Sequence, residues 1–330
     1  DTFCPLDRDA RIIGSSTPKL AKMVASKYGR DSVDEIKTDL LSNHGRELSR
    51  RHIQMIAERV GEIAQAKEEH WRYAPELHGI VSTISLGVDG TTVLMWDDGY
   101  RETMVGTVGY YDKKGEQLHT DYIAASPEYG KQTFQTRMTR EIQAIKSRHP
   151  NATYVGIADG ASDNWPFLEQ HTEIQITDFY HASEYLTKAS KALFKPNQEK
   201  KRLTWLDEQC HRLKHEPGAV KEHIVAFKTV MEEKKLTASK KEKLQSVITY
   251  FTNQSDRMDY ACYQKRQLPI GSGVTEAACK TIVKQRLCRS GQRWKEKGVT
   301  VVLAIRCLDK SNRWEKFWQK LSQYGIPYLH

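Results

Sequence analysis

The stretch Tyr154-Val155-Gly156-Ile157-Ala158-Asp159-Gly160-Ala161-Ser162-Asp163-Asn164-Trp165 constrains this chain more than any other. An apolar run of β-forming residues reaches a carboxylate, and a glycine turn with a helix start then breaks it, the pattern of a buried strand with an acid at its tip. Buried parallel strands deliver functional side chains at their carboxyl ends, so Asp159 is a candidate site residue. A lone Asp-Gly can equally do no more than cap a turn. Two further acids in comparable settings favour the first reading.

The first is Asp89. Residues 83–89 read as a strand that again ends in Asp-Gly, and strand patterns recur at about 103–111 and 118–124, with Gly115 turning between them. Short polar turns make these three an antiparallel meander. Residues 127–148 carry Phe134, Met138, Ile142 and Ile145 on one helical stripe; the Asp159 strand, a short helix near 163–171 and a fifth strand over 173–178 follow. The order βββαβαβ is that of a ribonuclease-H-like sheet. The expected fold class is therefore α/β: a ribonuclease-H-like mixed five-stranded sheet with an all-helical insertion and an N-terminal helical, helix-turn-helix-like domain.

Four regions are expected: an N-terminal helical DNA-binding region (1–81), the first part of a catalytic core (82–187), a helical insertion (188–267), and the completion of the core with C-terminal helices (268–330). In the first, Pro18 suits the start of a helix over 17–28, and Ser32 with Glu35 forms a capping box for the next. Ser49 caps a third, with Ile53, Ile56, Val60 and Ile63 on one face. Helices joined by Asn43-His44-Gly45 suggest a helix-turn-helix with 49–65 as the recognition helix and Arg50 and Arg51 on DNA, although a plain helical bundle has the same pattern. The sequence begins at Asp1 rather than Met, as expected of a processed chain or a piece of a longer one.

The insertion is rich in Lys, Glu, Leu and Gln and reads either as a nucleic-acid clamp, using its basic excess and Trp205, or as a spacer. Residues 268–273 break it. Ser272 then caps a helix over about 274–290, with Glu276 in its first turn and Lys280, Lys284, Arg286 and Arg289 beyond. Helices near 297–309 and 313–322 finish the chain.

Charge is divided unevenly. The chain carries +9 overall, yet residues 82–187 hold fifteen acidic against eight basic side chains, and 188–330 hold thirty basic against fourteen acidic. An acidic core beside a basic half makes sense if divalent cations occupy the core and a nucleic-acid backbone crosses the basic half. Asp89, Asp159 and Glu276 converging on one end of a sheet suit two Mg2+ or Mn2+ ions, hard cations that take oxygen ligands. Glu276 could instead pair with Lys280 one turn on, and Asp97 or Asp98 could replace a ligand. Asp178 and His181, at a strand-to-helix junction, could position a scissile phosphate or a flanking base, or be a helix cap and a surface histidine. No GxSxG elbow, Walker loop or dinucleotide fingerprint is present. Six cysteines without a CxxC pair argue against a disulfide framework or structural zinc and fit a reducing cytoplasm. No window approaches 18 uninterrupted apolar residues, so no membrane is expected as a partner.

Leu86-Gly87-Val88-Asp89-Gly90, the Tyr154–Ala161 block, Asp178-Phe179-Tyr180-His181-Ala182 and Leu268-Pro269-Ile270-Gly271-Ser272-Gly273-Val274-Thr275-Glu276-Ala277-Ala278-Cys279-Lys280 resemble the motif blocks of the ISKra family of bacterial insertion-sequence transposases. The likeness runs from Cys4-Pro5-Leu6 to Gln323-Tyr324-Gly325 and is most specific around Glu276, continuing through Arg289-Ser290-Gly291-Gln292-Arg293-Trp294. The resemblance implies a DDE triad of Asp89, Asp159 and Glu276, with the Asp178/His181 pair similar to the C/DxxH motif of Mutator-like and hAT-like transposases. It also implies metal-dependent DNA cleavage at element ends and joining of a 3′-hydroxyl to target DNA. The expected partners are double-stranded DNA, as terminal inverted repeats and target, and further copies of the chain in a synaptic complex at the cytoplasmic nucleoid. Arg293 joins the expected DNA-binding residues. A nuclease without strand transfer and a captured DNA-binding protein are the alternatives.

Overall fold

A computed structural model describes residues 6, 9–68, 74–233 and 236–324; the Cys4-Pro5 and Gly325 ends of the resembling stretch lie outside them. The chain opens with helices α1 (Pro18–Tyr28), α2 (Val33–His44) and α3 (Arg50–Glu68). Each start follows from its sequence: Thr17 and Pro18 begin α1, and the Ser32/Glu35 capping box is formed in full at α2. Gly45, with φ 59°, ends α2 in the left-handed conformation that costs glycine nothing.

Strands β1 (Thr83–Met95), β2 (Gly99–Tyr111) and β3 (Gln117–Ala125) form the meander, followed by α4 (Gln132–Arg148), β4 (Thr153–Ala158), α5 (Trp165–Glu169) and β5 (Ile174–Thr177). Among the described residues these strands make one sheet in the order β3-β2-β1-β4-β5, antiparallel within the meander and parallel from β1 to β4 to β5. The result is a mixed α/β fold.

One boundary differs in a way that matters. Asp89 does not end β1, which runs six residues further because Thr91, Val93 and Met95 keep pointing inward and Gly99, at φ 70°, closes the hairpin. What stops beside Asp89 is the pairing with β4, whose last rung is Gly87 opposite Ile157.

Beyond β5 come α6 (Phe179–Leu193), α7 (Glu199–His215), α8 (Ala219–Glu233), α9 (Ala238–Gln254) and α10 (Tyr260–Lys265). The next helix, α11, spans 273–287: an α-helical start Gly273–Ala278, a π-helical turn Cys279–Lys284 and a last turn Gln285–Leu287. Helices α12 (Glu296–Lys310) and α13 (Trp314–Tyr324) end the described chain.

Three apolar clusters cover the sheet. On one face Phe134, Met138, Ile142 and Ile145 of α4 pack on Ile84, Leu86 and Val108. Over β4 and β5, Val155, Ile157 and Ile176 are sealed by Leu186 of α6 and by Leu213, Phe227, Val247 and Phe251 of the insertion. The third cluster joins Val93 and Val105 to α11, α12 and α13 and to Val24, Ile36, Ile53 and Val60 of the first three helices. The N-terminal helices therefore share a core with the end of the chain, and the expected boundary at residue 81 is no boundary in packing. Their apolar faces are too large to be left in water, and α12 supplies the opposing surface: a Cβ on Gly61 would stand 2.8 Å from Val301.

Candidate metal-carboxylate site

Two residues beyond the last β1–β4 rung lie Asp89 on β1 and Asp159 just after β4. Alternation along a strand puts them on the same face as Gly87 and Ile157. That face at Gly87 is where α11 lands. A Cβ on Gly87 would fall 2.0 Å from Thr275 Oγ1, so the missing side chain is what lets the helix touch the sheet. The Thr275 and Thr107 hydroxyls bond each other at 2.7 Å inside this contact, leaving neither unpaired.

One residue past Thr275, Glu276 reaches the same place. Asp89, Asp159, His181, Glu184, Ser272 and Glu276 line one open cleft of about 370 Å³, with Val88, Ala158 and Thr275 completing its wall. Asp89 Oδ1 accepts from the Gly90 amide at 2.7 Å, and Asp159 Oδ1 from the Ala161 amide at 2.9 Å. Glu276 Oε1 is 3.4 Å from Ser272 Oγ, and Glu276 makes no ion pair with Lys280. Burial, together with the charges of Asp178 and Asp89, raises the Glu276 carboxyl above the ordinary carboxylate range, opposed by the Ser272 hydroxyl and His181. Among the described residues no lysine or arginine pairs with Asp89, Asp159 or Glu276.

Several supports of this site leave no mark in the motifs. Cys279, one turn beyond Glu276, donates its thiol to Asp89 Oδ2 at 3.3 Å; burial and the Asp89 charge push the thiol well up, so it stays protonated and able to donate. An i,i+3 spacing on a helix would have put Cys279 beside Glu276. Tyr250 and Gln254 of α9 donate to the carbonyls of Asp159 and Gly160, at 2.9 and 3.1 Å. Gly160, at φ 104°, also passes so close to Tyr250 that a Cβ would stand 2.9 Å from its ring. The insertion thus braces the Asp159 loop, a role that its composition does not disclose. Trp205, half-buried, packs with Phe194 and Phe227.

The remaining candidates divide. His181 lines the cleft, with Nδ1 3.7 Å from Glu184 Oε2. Asp178 is fully buried, so direct contact with DNA is excluded; it caps α6 and holds Ser272. Lys280, Lys284 and Arg293 are exposed. Arg286 is not: it is 2% exposed, donates to the Tyr28 carbonyl and lies over the Tyr28 and Trp294 rings, and burial pushes its guanidinium down to about 10. It follows the π-helical turn, and these contacts make it an internal anchor in place of its expected role on DNA. Arg289 is held by Glu35 and the Arg30 carbonyl. Arg50 and Arg51 are exposed at the start of α3, Arg50 paired with Asp34 of α2. Ala277, adjoining the acid, is exposed, while Ala278 and Ile282 face inward. Asp97 and Asp98 sit at the β1–β2 hairpin tip and line a separate hollow with Trp294.

As placed, no three His, Cys, Asp or Glu side chains among the described residues stand close enough together to hold an ion. The donor set is nonetheless of the right kind. Three oxygen donors without a cationic partner face one cleft, and like charge around Glu276 is what a hard cation relieves. Among the described residues no helix is long and apolar enough to cross a membrane. Comparison with protein-family models finds no match, and comparison with curated proteins finds none.

Proposed function

We propose that this protein is a DDE-type DNA transposase, a polynucleotidyl transferase that depends on divalent metal. The observation that carries the reading is the convergence of Asp89, Asp159 and Glu276, 187 residues apart at the extremes, on one cleft at the carboxyl end of β4. The strand order β3-β2-β1-β4-β5, with its antiparallel half and parallel half, supports a ribonuclease-H-like sheet.

In this reading Asp89, Asp159 and Glu276 hold two magnesium or manganese ions, which when bound activate a water or 3′-hydroxyl and stabilise the departing oxygen. His181 offers a ring nitrogen to a phosphate at the cleft wall. Cys279 steadies the Asp89 carboxylate, and Tyr250 and Gln254 fix the loop that presents Asp159. Exposed Lys280, Lys284 and Arg293 bind the backbone of double-stranded DNA, first the element's terminal inverted repeats and then the target. The acts of cutting and joining take place in a synaptic complex of several copies at the cytoplasmic nucleoid.

The test is cleavage and strand transfer on duplexes carrying the DNA that flanks the reading frame, with Mg2+ or Mn2+, for parent and Asp159→Asn. Metal-dependent cleavage that Asp159→Asn abolishes, with DNA affinity kept or raised, is the expected result. Equal loss of binding and cleavage would remove Asp159 from the chemistry, and cleavage without joining of a pre-cut 3′-end would make the protein a nuclease.

A further inference from the structure

We propose that Asp178 is a positioning residue for Glu276, acting through Ser272, which stands between the two carboxylates. The inference rests on the three-carboxylate reading of the cleft and assigns a role to two residues at its floor.

Capping does not account for Asp178. Its Oδ1 caps α6 by accepting from the amides of Tyr180 and His181, at 2.5 and 3.3 Å, and one oxygen suffices for that. Its Oδ2 is given wholly to Ser272, accepting from the Ser272 amide at 2.8 Å and from the Ser272 hydroxyl. Asp178 is fully buried and, among the described residues, has no lysine or arginine partner. A buried carboxylate with no cation is costly unless its hydrogen bonds are complete, so these four donors hold their places.

Ser272 passes that rigidity on. Its carbonyl accepts from the amides of Thr275 and Glu276, at 2.7 and 3.0 Å, and so begins α11. Its hydroxyl has one proton. Both carboxylates accept it, Asp178 Oδ2 in the closer contact and Glu276 Oε1 at 3.4 Å, so the proton bridges the two acids. The Phe179 amide adds a bond to the Ile270 carbonyl at 2.9 Å, tying the incoming loop to the start of α6. Asp89 and Asp159 are placed by β1 and β4, so only the third acid depends on this connection.

The experiment measures Mn2+ binding by the full chain through the loss of the free-ion electron paramagnetic resonance signal, with thermal unfolding in parallel. The proteins are the parent, Glu276→Gln, Ser272→Ala, Asp178→Asn and the double variant Ser272→Ala/Glu276→Gln. Groups that orient metal ligands are typically worth about 10–100-fold in metal affinity. Ser272→Ala, which keeps the amide bond to Asp178, is expected to weaken Mn2+ binding by at least about tenfold, and to add nothing once Glu276 is already Gln. Asp178→Asn replaces an acceptor with a donor facing the Ser272 amide and should lose as much or more; if it fails to fold, the Ser272 cycle decides alone. Parent-like binding by Ser272→Ala, or a loss that simply adds to that of Glu276→Gln, overturns the positioning role while leaving the cleft reading intact. A parent that binds no Mn2+, or a Glu276→Gln variant that binds like the parent, overturns both.

Discussion

Adding one methyl group at Gly87 should disable the site without touching an acid. In Gly87→Ala the new Cβ would fall 2.0 Å from Thr275 Oγ1 and 2.8 Å from Thr107 Oγ1, where ordinary contact begins near 3.4 Å. Thr107 is central in β2 and cannot yield, so the first turn of α11 must withdraw by roughly an ångström, taking Glu276 with it. Overpacking of this kind typically costs about 1–3 kcal/mol, and a misplacement of about 1 Å in a catalytic group costs roughly a hundredfold in rate. The assay pairs urea unfolding with single-turnover cleavage in saturating Mg2+. The expected variant remains folded, loses stability in that range, and cuts about two orders of magnitude more slowly. Adding Thr275→Ala removes the closest clashing atom and should return part of both. A Gly87→Ala protein with parent stability and parent rate would mean that α11 does not need this contact, and the account of how Glu276 reaches the cleft would fall.

Glu276→Gln should lose at least about a hundredfold in cleavage rate, roughly 3 kcal/mol of barrier; activity within a few-fold of the parent would remove it from the site. The same variant carries a pH signature in the metal-free protein. Because burial and then Asp178 and Asp89 raise the folded carboxyl, the folded parent holds its proton more tightly than the unfolded chain, and stability from this group falls as pH rises through the ordinary Glu range to the raised value. The melting temperature of Glu276→Gln relative to parent should therefore climb across that window, and a flat difference would contradict the raised carboxyl. Far from the cleft, burial pushes the Asp121 carboxyl up, but Arg313, His119 and Tyr110 outweigh it and hold the group below the usual range. Arg313→Met leaves that charge buried without its main partner and should cost about 3–5 kcal/mol in urea unfolding, whereas a loss under about 1 kcal/mol would deny the pair a structural role. Charge reversal at Lys280 and Lys284 should flatten the slope of log K for duplex DNA against log salt by about two, as against little change for Lys113 and Lys114. Equal effects from both pairs would move the DNA surface away from α11.

The sheet and the acids were legible because their patterns are local. Strand alternation, the capping box at Ser32 and the Asp-Gly after the β4 run all reside within a few residues and appear where expected, whereas the Asp-Gly at Asp89 lies within β1. What was not legible depended on partners distant in sequence. The alternation of Thr91, Val93 and Met95 and the turn at Gly99 carry β1 past Asp89, but no local pattern shows where β4 stops pairing with it. Arg286 looked like its neighbours Lys284 and Arg289, yet it is buried and donates to the carbonyl of Tyr28, 258 residues away. Asp178 carried the right residue type for a site, but it is buried and its second oxygen is bonded by Ser272, 94 residues away.

The core shared by the first three helices and α11 to α13 has a consequence for the timing of synthesis. While the ribosome is still translating the insertion, Asp89 and Asp159 have been made, yet Val24, Ile36, Ile53 and Val60 lack the α11–α13 side of their core and the third acid does not exist. Contacts that span most of the chain form late. In a nascent chain of this design the core and the cleft stay incomplete until the final helices emerge and close both together.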